Sequence, residues 1–229
     1  MLSFEKLIQQ LQKRYGEPAL PPARGPFEIV LWENACYLLT DERRREVFEQ
    51  LRKQVGLTAE KIAAAPDDIL LPIASRGGMR PETRVFRWRE IARITLTQFG
   101  GNLDTVLHEP FANAIRALKQ FPNIGDPGAE KILMLCGMAR GLPLESNGLR
   151  VLVRVGYGRE QKNYSAKYKL VQENLKGEIP AKADALTRAH TLLRAHGKDL
   201  CKDKTPLCAH CPVAKYCDYA QDMAASFTG

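Results

Sequence analysis

From Phe4 to Gly16 the chain reads FEKLIQQLQKRYG, with apolar residues three and four positions apart and a glycine closing the run. That spacing predicts an amphipathic helix with its stop signal in place. Helical period or length recurs in FEIVLWENACYLLT, DERRREVFEQLRKQVG, TAEKIAAA, PDDILLPIAS, TRVFRWREIARITLTQFGG and FANAIRALKQF, each bounded by Gly, Pro, Asp or Thr. Between the first two segments, EPALPPARGP is proline-rich and reads as an extended linker or boundary. No run alternates with the two-residue period of a strand. The pattern predicts an all-α protein.

A chain of 229 residues can bury a sizeable core as one large domain or two small ones. Its 45% hydrophobic and 26% charged residues are ordinary for a globular protein. No apolar run approaches the roughly 18 residues needed to span a bilayer, and the N-terminus lacks the apolar centre of a signal peptide. No membrane association is therefore expected, and a cytoplasmic location follows, at the nucleoid if the source is bacterial. The net charge of +8 makes a polyanionic partner plausible and favours nucleic acid over a membrane surface.

Four of the six cysteines fall in CKDKTPLCAHCPVAKYC, with Cys201, Cys208, Cys211 and Cys217 spaced C-x6-C-x2-C-x5-C. In a reducing compartment such a cluster points to metal binding rather than to disulfides. Four neighbouring thiolates repel one another unless a metal centre neutralises them. Structural zinc sites usually bring two close pairs, and only Cys208 and Cys211 form one. Unequal loops around a larger cuboid cluster fit better, so spacing favours [4Fe–4S] and leaves zinc as the alternative. Cys36 and Cys136 lie in apolar helical contexts and read as core residues.

The segment FPNIGDPGAEKILMLCG joins two helices through a glycine-containing turn, with Asp126 as a candidate N-cap and Pro127 at a favourable first position. A hairpin of this kind aims backbone N–H groups at a helix N-terminus, which suits a phosphate, although most such turns are only turns.

Taken in order, HGKDLCKDKTPLCAHCPVAKYC, the FPNIGDPGA hairpin and PFEIVLWENACYLLTD resemble the endonuclease III-like DNA glycosylases. These belong to the helix-hairpin-helix superfamily whose members carry an iron–sulfur cluster loop. The resemblance runs from about Phe4 to Tyr219. It implies two helical domains flanking a DNA-binding cleft: a six-helix barrel with the hairpin at 26–139, and an iron–sulfur domain made of 1–25 and 140–229. It also implies a [4Fe–4S] cluster on the four cysteines, and a monomer whose partner is double-stranded DNA containing a damaged or mismatched base. Such a base is flipped from the duplex into a pocket before its glycosidic bond is broken.

The resemblance assigns roles to single positions. The amine that cuts the strand in bifunctional members would stand at Pro127, which has no nucleophilic side chain, so a monofunctional enzyme using water is expected. Lys131, one turn on, reads mainly as a solvated or phosphate-facing lysine. Glu145 stands at the catalytic aspartate position and Asn147 where a histidine is common; the rival reading makes Glu145 a helix cap. Glu33 matches the general acid of adenine-specific mismatch glycosylases and, alone, points to a purine target. Burial would keep it protonated, whereas an internal ion pair with an arginine would make it structural. Tyr37 is placed one turn further along the same helix face, beside the flipped base, with Asn34 and Asn147 at the pocket. Leu38 and Leu39 are a candidate apolar wedge. DNA contacts are expected from Asn123, Ile124, Gly125, Gly128 and Lys131 of the hairpin, from Arg76 and Arg80, and from Lys202 and Lys204 (with Lys215) framed by the cluster. Two other functions stay open: a bifunctional glycosylase and abasic-site lyase using another amine, and a DNA lesion- or structure-binding protein without chemistry.

Overall fold

The structure, a computed structural model, describes residues 2–180 and 182–226; these form twelve α-helices with short 3-10 turns and no strand. The helices are α1 (Phe4–Tyr15), α2 (Gly25–Glu33), α3 (Asp41–Gln54), α4 (Ala59–Ala64), α5 (Asp67–Ser75), α6 (Pro81–Phe99), α7 (Phe111–Leu118), α8 (Asp126–Leu135), α9 (Ser146–Leu152), α10 (Tyr164–Asn174), α11 (Ala183–Asp199) and α12 (Asp218–Ser226). Among them none is long and apolar enough to cross a membrane. The chain divides into two compact units, one of Pro21–Met138 and one of Met1–Leu20 with Ala139–Gly229.

Local chemistry explains most helix starts. Thr40, Thr58 and Asn163 accept from backbone N–H groups at the starts of α3, α4 and α10, and proline occupies the first turn of α2, α6 and α8. In the first unit of sequence-contiguous chain, Pro21–Met138, α6 packs on α4 and α5, and Trp88, Phe48, Leu51, Ile62 and Leu70 are buried in one core. Each such side chain contributes about 1.5–3 kcal/mol by leaving water. Cys36 is buried in this core and Cys136 packs against it. In the other unit α11 lies against α1 and α9, and α9 runs on into a wider turn, Val153–Tyr157, that leads to Gly158.

The helix expected over 27–40 ends early. α2 stops at Glu33, where Asn34 leaves helical geometry as its C-cap. Its side chain is spent on one bond back into α2 and two to the hairpin: Nδ2 donates to the carbonyls of Val30 and Pro122, both at 3.0 Å, and Oδ1 accepts from Asn123 Nδ2 at 2.8 Å. The chain then turns away, with the Tyr37 N–H donating to the Gly77 carbonyl and Leu38 at φ +55°. Tyr37 therefore does not share a helix face with Glu33, and Asn34 fastens α2 to the hairpin instead of lining a pocket.

Candidate active site and cysteine loop

The hairpin connects α7 to α8 through Phe121–Gly125. Asn123 takes a left-handed conformation, φ +61°, which asparagine tolerates better than most residues. Gly125, not Asp126, is the N-cap of α8. No side chain caps this helix start, and Asp126 instead pairs with Lys119 at 2.7 Å. Ile124 is buried and belongs to the core, so only its backbone can serve at the surface. Gly125 is exposed with open space around its α-carbon, while Gly128 lies over the Ile124 side chain.

One turn into α8, Lys131 Nζ donates to Glu33 Oε2 at 2.5 Å, and Arg44 of α3 brings Nη1 to 3.9 Å from the other carboxylate oxygen. The side chains of Glu33 and Lys131 are 18% and 17% exposed. The ion pair foreseen for Glu33 exists, with a lysine as its nearer cation and an arginine as the second. Glu33 therefore has the internal ion pair of the structural reading, and the Lys131 side chain faces that carboxylate.

Two loops of the same unit stand together around Arg84. This buried guanidinium donates from Nη1 to the Ala74 carbonyl at 2.6 Å and from Nη2 to the Gly77 carbonyl at 2.7 Å, with longer bonds to Gly78 and Met79. Burial lowers its pKa, yet the carbonyls satisfy its donors. The frame displays Tyr37, Leu38 and Met79, which are 55%, 80% and 70% exposed. Arg76, at the end of α5, and Arg80, left-handed at φ +59° before α6, are exposed beside it. Arg89 is engaged with Asp67 and the Ala65 carbonyl.

In the other unit, the segment leading to Glu145 is held residue by residue. The carbonyl of Leu142 accepts from Gln172 Nε2 at 2.5 Å, that of Pro143 from His190 Nδ1 at 2.7 Å, and that of Leu144 from Tyr164 Oη at 2.8 Å. Glu145 then caps α9: Oε1 accepts from the Gly148 N–H and Oε2 from Asn147 Nδ2, both at 2.6 Å. Its cap role is real, and it orients the carboxylate. Asn147 is thereby a partner of Glu145, with its own Oδ1 accepting from Arg150 at 2.9 Å, and both its polar ends are used within the protein.

Cys201, Cys208, Cys211 and Cys217 line one small cavity whose other walls include Val151, Val155, Leu200 and Val213. Burial pushes the Cys211 thiol up to about 11; the Val213 N–H opposes the shift, and the other three cysteines add to it. Burial also raises the Cys217 thiol. Such thiols ionise when a cationic centre binds them, and a donor is already aimed at one: Arg154 Nη1 lies 3.5 Å from Cys201 Sγ. Arg154 also donates to the carbonyls of Lys202 and Asp203 at 2.6 and 2.8 Å, which fixes the loop that exposes Lys202 and Lys204. The donor set and apolar walls fit a multi-iron cluster, whereas no group of three or more His, Cys, Asp or Glu among the described residues stands ready to hold a metal ion.

Arg84, Arg150, Arg154, Tyr164, Gln172 and His190 carry no local motif. For Arg150 and Arg154 a signal existed: two arginines four apart inside the apolar run LRVLVRVGYG, where unpaired charges are costly.

No family model matches the chain. Endonuclease III of Sulfolobus acidocaldarius is 27% identical over 200 residues, which cover 87% of this chain and 84% of that protein. Among solved structures, a trapped endonuclease III–DNA covalent intermediate superposes with a TM-score of 0.74 at 18% identity, covering 98% of this chain and all of the other. A thermostable thymine-DNA glycosylase gives 0.73 at 18% identity, with 96% and 97% covered. In sequence the chain is similar to endonuclease III, and its all-helical fold is that of the solved endonuclease III and thymine-DNA glycosylase structures.

Proposed function

We propose that this chain is a base-excision DNA glycosylase that hydrolyses the N-glycosidic bond of a flipped damaged or mismatched base and leaves the strand intact. The likeness to endonuclease III supports the glycosylase reading. The observation that carries the monofunctional part is Pro127, in the first turn of α8, where the resemblance would place a nucleophilic lysine. Water is then the nucleophile.

As the bond breaks, positive charge develops on the sugar and negative charge on the base. Glu145 supplies the carboxylate that stabilises the sugar cation or orients water, held by Asn147 and the Gly148 N–H. The uncapped start of α8 offers backbone donors to a DNA phosphate, and Arg76, Arg80, Lys202 and Lys204 add exposed positive charge. The four cysteines are proposed to hold a [4Fe–4S] cluster. Cys201, Cys208, Cys211 and Cys217 would hold it as thiolates, and it would supply a rigid anchor for the lysine-bearing loop; base hydrolysis needs no redox step from it. A monomeric, cytoplasmic protein completes the proposal.

A second reading has its own support. Glu33 is occupied by Lys131 and Glu145 by a helix cap, so both carboxylates have structural employment in a DNA-binding protein without chemistry. Incubation with duplexes carrying deaminated, alkylated, oxidised or mismatched bases separates the two. Abasic sites, revealed as strand breaks only after alkali, are expected; tight binding without product on every duplex would establish the binding protein.

A further inference from the structure

Three charged side chains from three helices meet in the Pro21–Met138 unit. Glu33 ends α2, Arg44 lies on α3 and Lys131 on α8. The Lys131 ammonium is 2.5 Å and the Arg44 guanidinium 3.9 Å from the carboxylate, and each of the three side chains is less than one-fifth exposed. Arg44 lies with its guanidinium carbon 5.5 Å from the Trp32 ring, and its Nε is buried without a hydrogen-bond partner. Two cations thus face the Glu33 carboxylate, and Arg44 Nε is an unused donor, which is an expensive arrangement unless an acceptor visits it.

A helix-held ion pair with one cation to spare suits a group that acquires negative charge, and it repels a group that arrives positive. Within the close pair Lys131 Nζ is the donor and the Glu33 carboxylate the acceptor. Resting on the glycosylase reading, we propose that Lys131 is the proton donor to the leaving base, that Glu33 positions it, and that the substrates are neutral bases requiring a proton to depart. Cationic N-alkylated purines, which leave without one, lie outside this class.

The step balances. As the C1′–N bond breaks, its electron pair moves onto the base, and a base nitrogen or oxygen takes a proton from the Lys131 ammonium. Water adds to C1′ and releases a proton to solvent, and Lys131 takes a proton back from solvent. The products are the free base and an abasic site.

The test measures single-turnover excision by the wild-type protein, Lys131→Met, Glu33→Gln and the double variant. The substrates are duplexes with a neutral base, the same base made a better leaving group by a ring fluorine, and 7-methylguanine. A neutral base should be the wild-type substrate. Lys131→Met should slow it about 100-fold or more, the scale of general-acid catalysis, and slow the fluorinated analogue much less. The double variant removes both members of the close pair and leaves Arg44 without its carboxylate, so its folding is checked separately by its denaturation midpoint; it should keep that dependence on the leaving group. Equal losses on both bases, full activity in the double variant, or 7-methylguanine as the preferred substrate would overturn the proposal while leaving the glycosylase reading intact. A wild-type protein that excises nothing would instead sink the glycosylase reading, and this proposal with it.

Discussion

Arg150 joins Asn147 to Cys201. Its guanidinium donates to Asn147 Oδ1 at 2.9 Å, to the Cys201 carbonyl at 2.8 Å and to the Gly197 carbonyl at 2.7 Å. Because Asn147 in turn holds Glu145, the first cysteine of the loop and the candidate carboxylate share one hydrogen-bonded chain. Arg150→Leu should therefore have two effects together: iron retention should fall and kcat should drop, with KM changing less. Hydrogen bonds to a charged group are worth about 1.5–3 kcal/mol each, so a tenfold loss in kcat is a conservative scale. Iron content and steady-state kinetics on the same preparation check both.

Glu145 has a cap function and a proposed catalytic function, and two substitutions separate them. Glu145→Gln retains an oxygen that can accept from the Gly148 N–H but removes the charge; stability should be nearly unchanged and excision should fall steeply. Glu145→Ala removes both, and the lost cap should cost about 1 kcal/mol in a denaturant titration. Equal activity of the Gln variant and wild type would remove Glu145 from the chemistry.

The loops displaying Tyr37, Leu38 and Met79 depend on the approach of Gly77 to its neighbours. A Cβ at Gly77 would lie 2.4 Å from the Ala35 carbonyl oxygen and 2.8 Å from Arg84 Nε, so the backbone would have to move. Gly77→Ala should destabilise the protein by about 1–3 kcal/mol. If these loops meet DNA, duplex affinity should fall as well, and a filter or fluorescence titration would read it.

Asn34 makes two bonds that tie α2 to the hairpin and a third back to Val30 within α2. Asn34→Leu keeps the volume but strands the Pro122 carbonyl and the Asn123 amide. The exposed Asn123 amide can turn to water, so the loss falls on the half-buried Pro122 carbonyl at about 1 kcal/mol, and a lower denaturation midpoint with an unchanged slope is the expected result.

The helical pattern was readable because local periodicity and caps generate it: Gly16, Thr40 and Thr58 stand where the breaks and caps are observed. The early end of α2 was not, because the residue that ends it bonds to Pro122 and Asn123, 88 and 89 positions away. Hydrophobic period continued through Cys36 to Leu39 and pointed to more helix. The same limit applies to Glu33: its sequence context shows that a charge interrupts an apolar run, but not that its partner is Lys131, 98 residues on. The cysteine spacing was legible as a metal motif, while Arg154, which braces the loop through two of its carbonyls, had to be found in three dimensions.

The most direct measurement of the account is excision on the lesion panel with each reaction split into alkali-treated and untreated halves. Strand breaks are expected only after alkali, since Pro127 supplies no amine and Lys131 is held by Glu33. Breaks in the untreated half, with an enzyme–DNA adduct trapped by borohydride, would contradict it and identify a lyase.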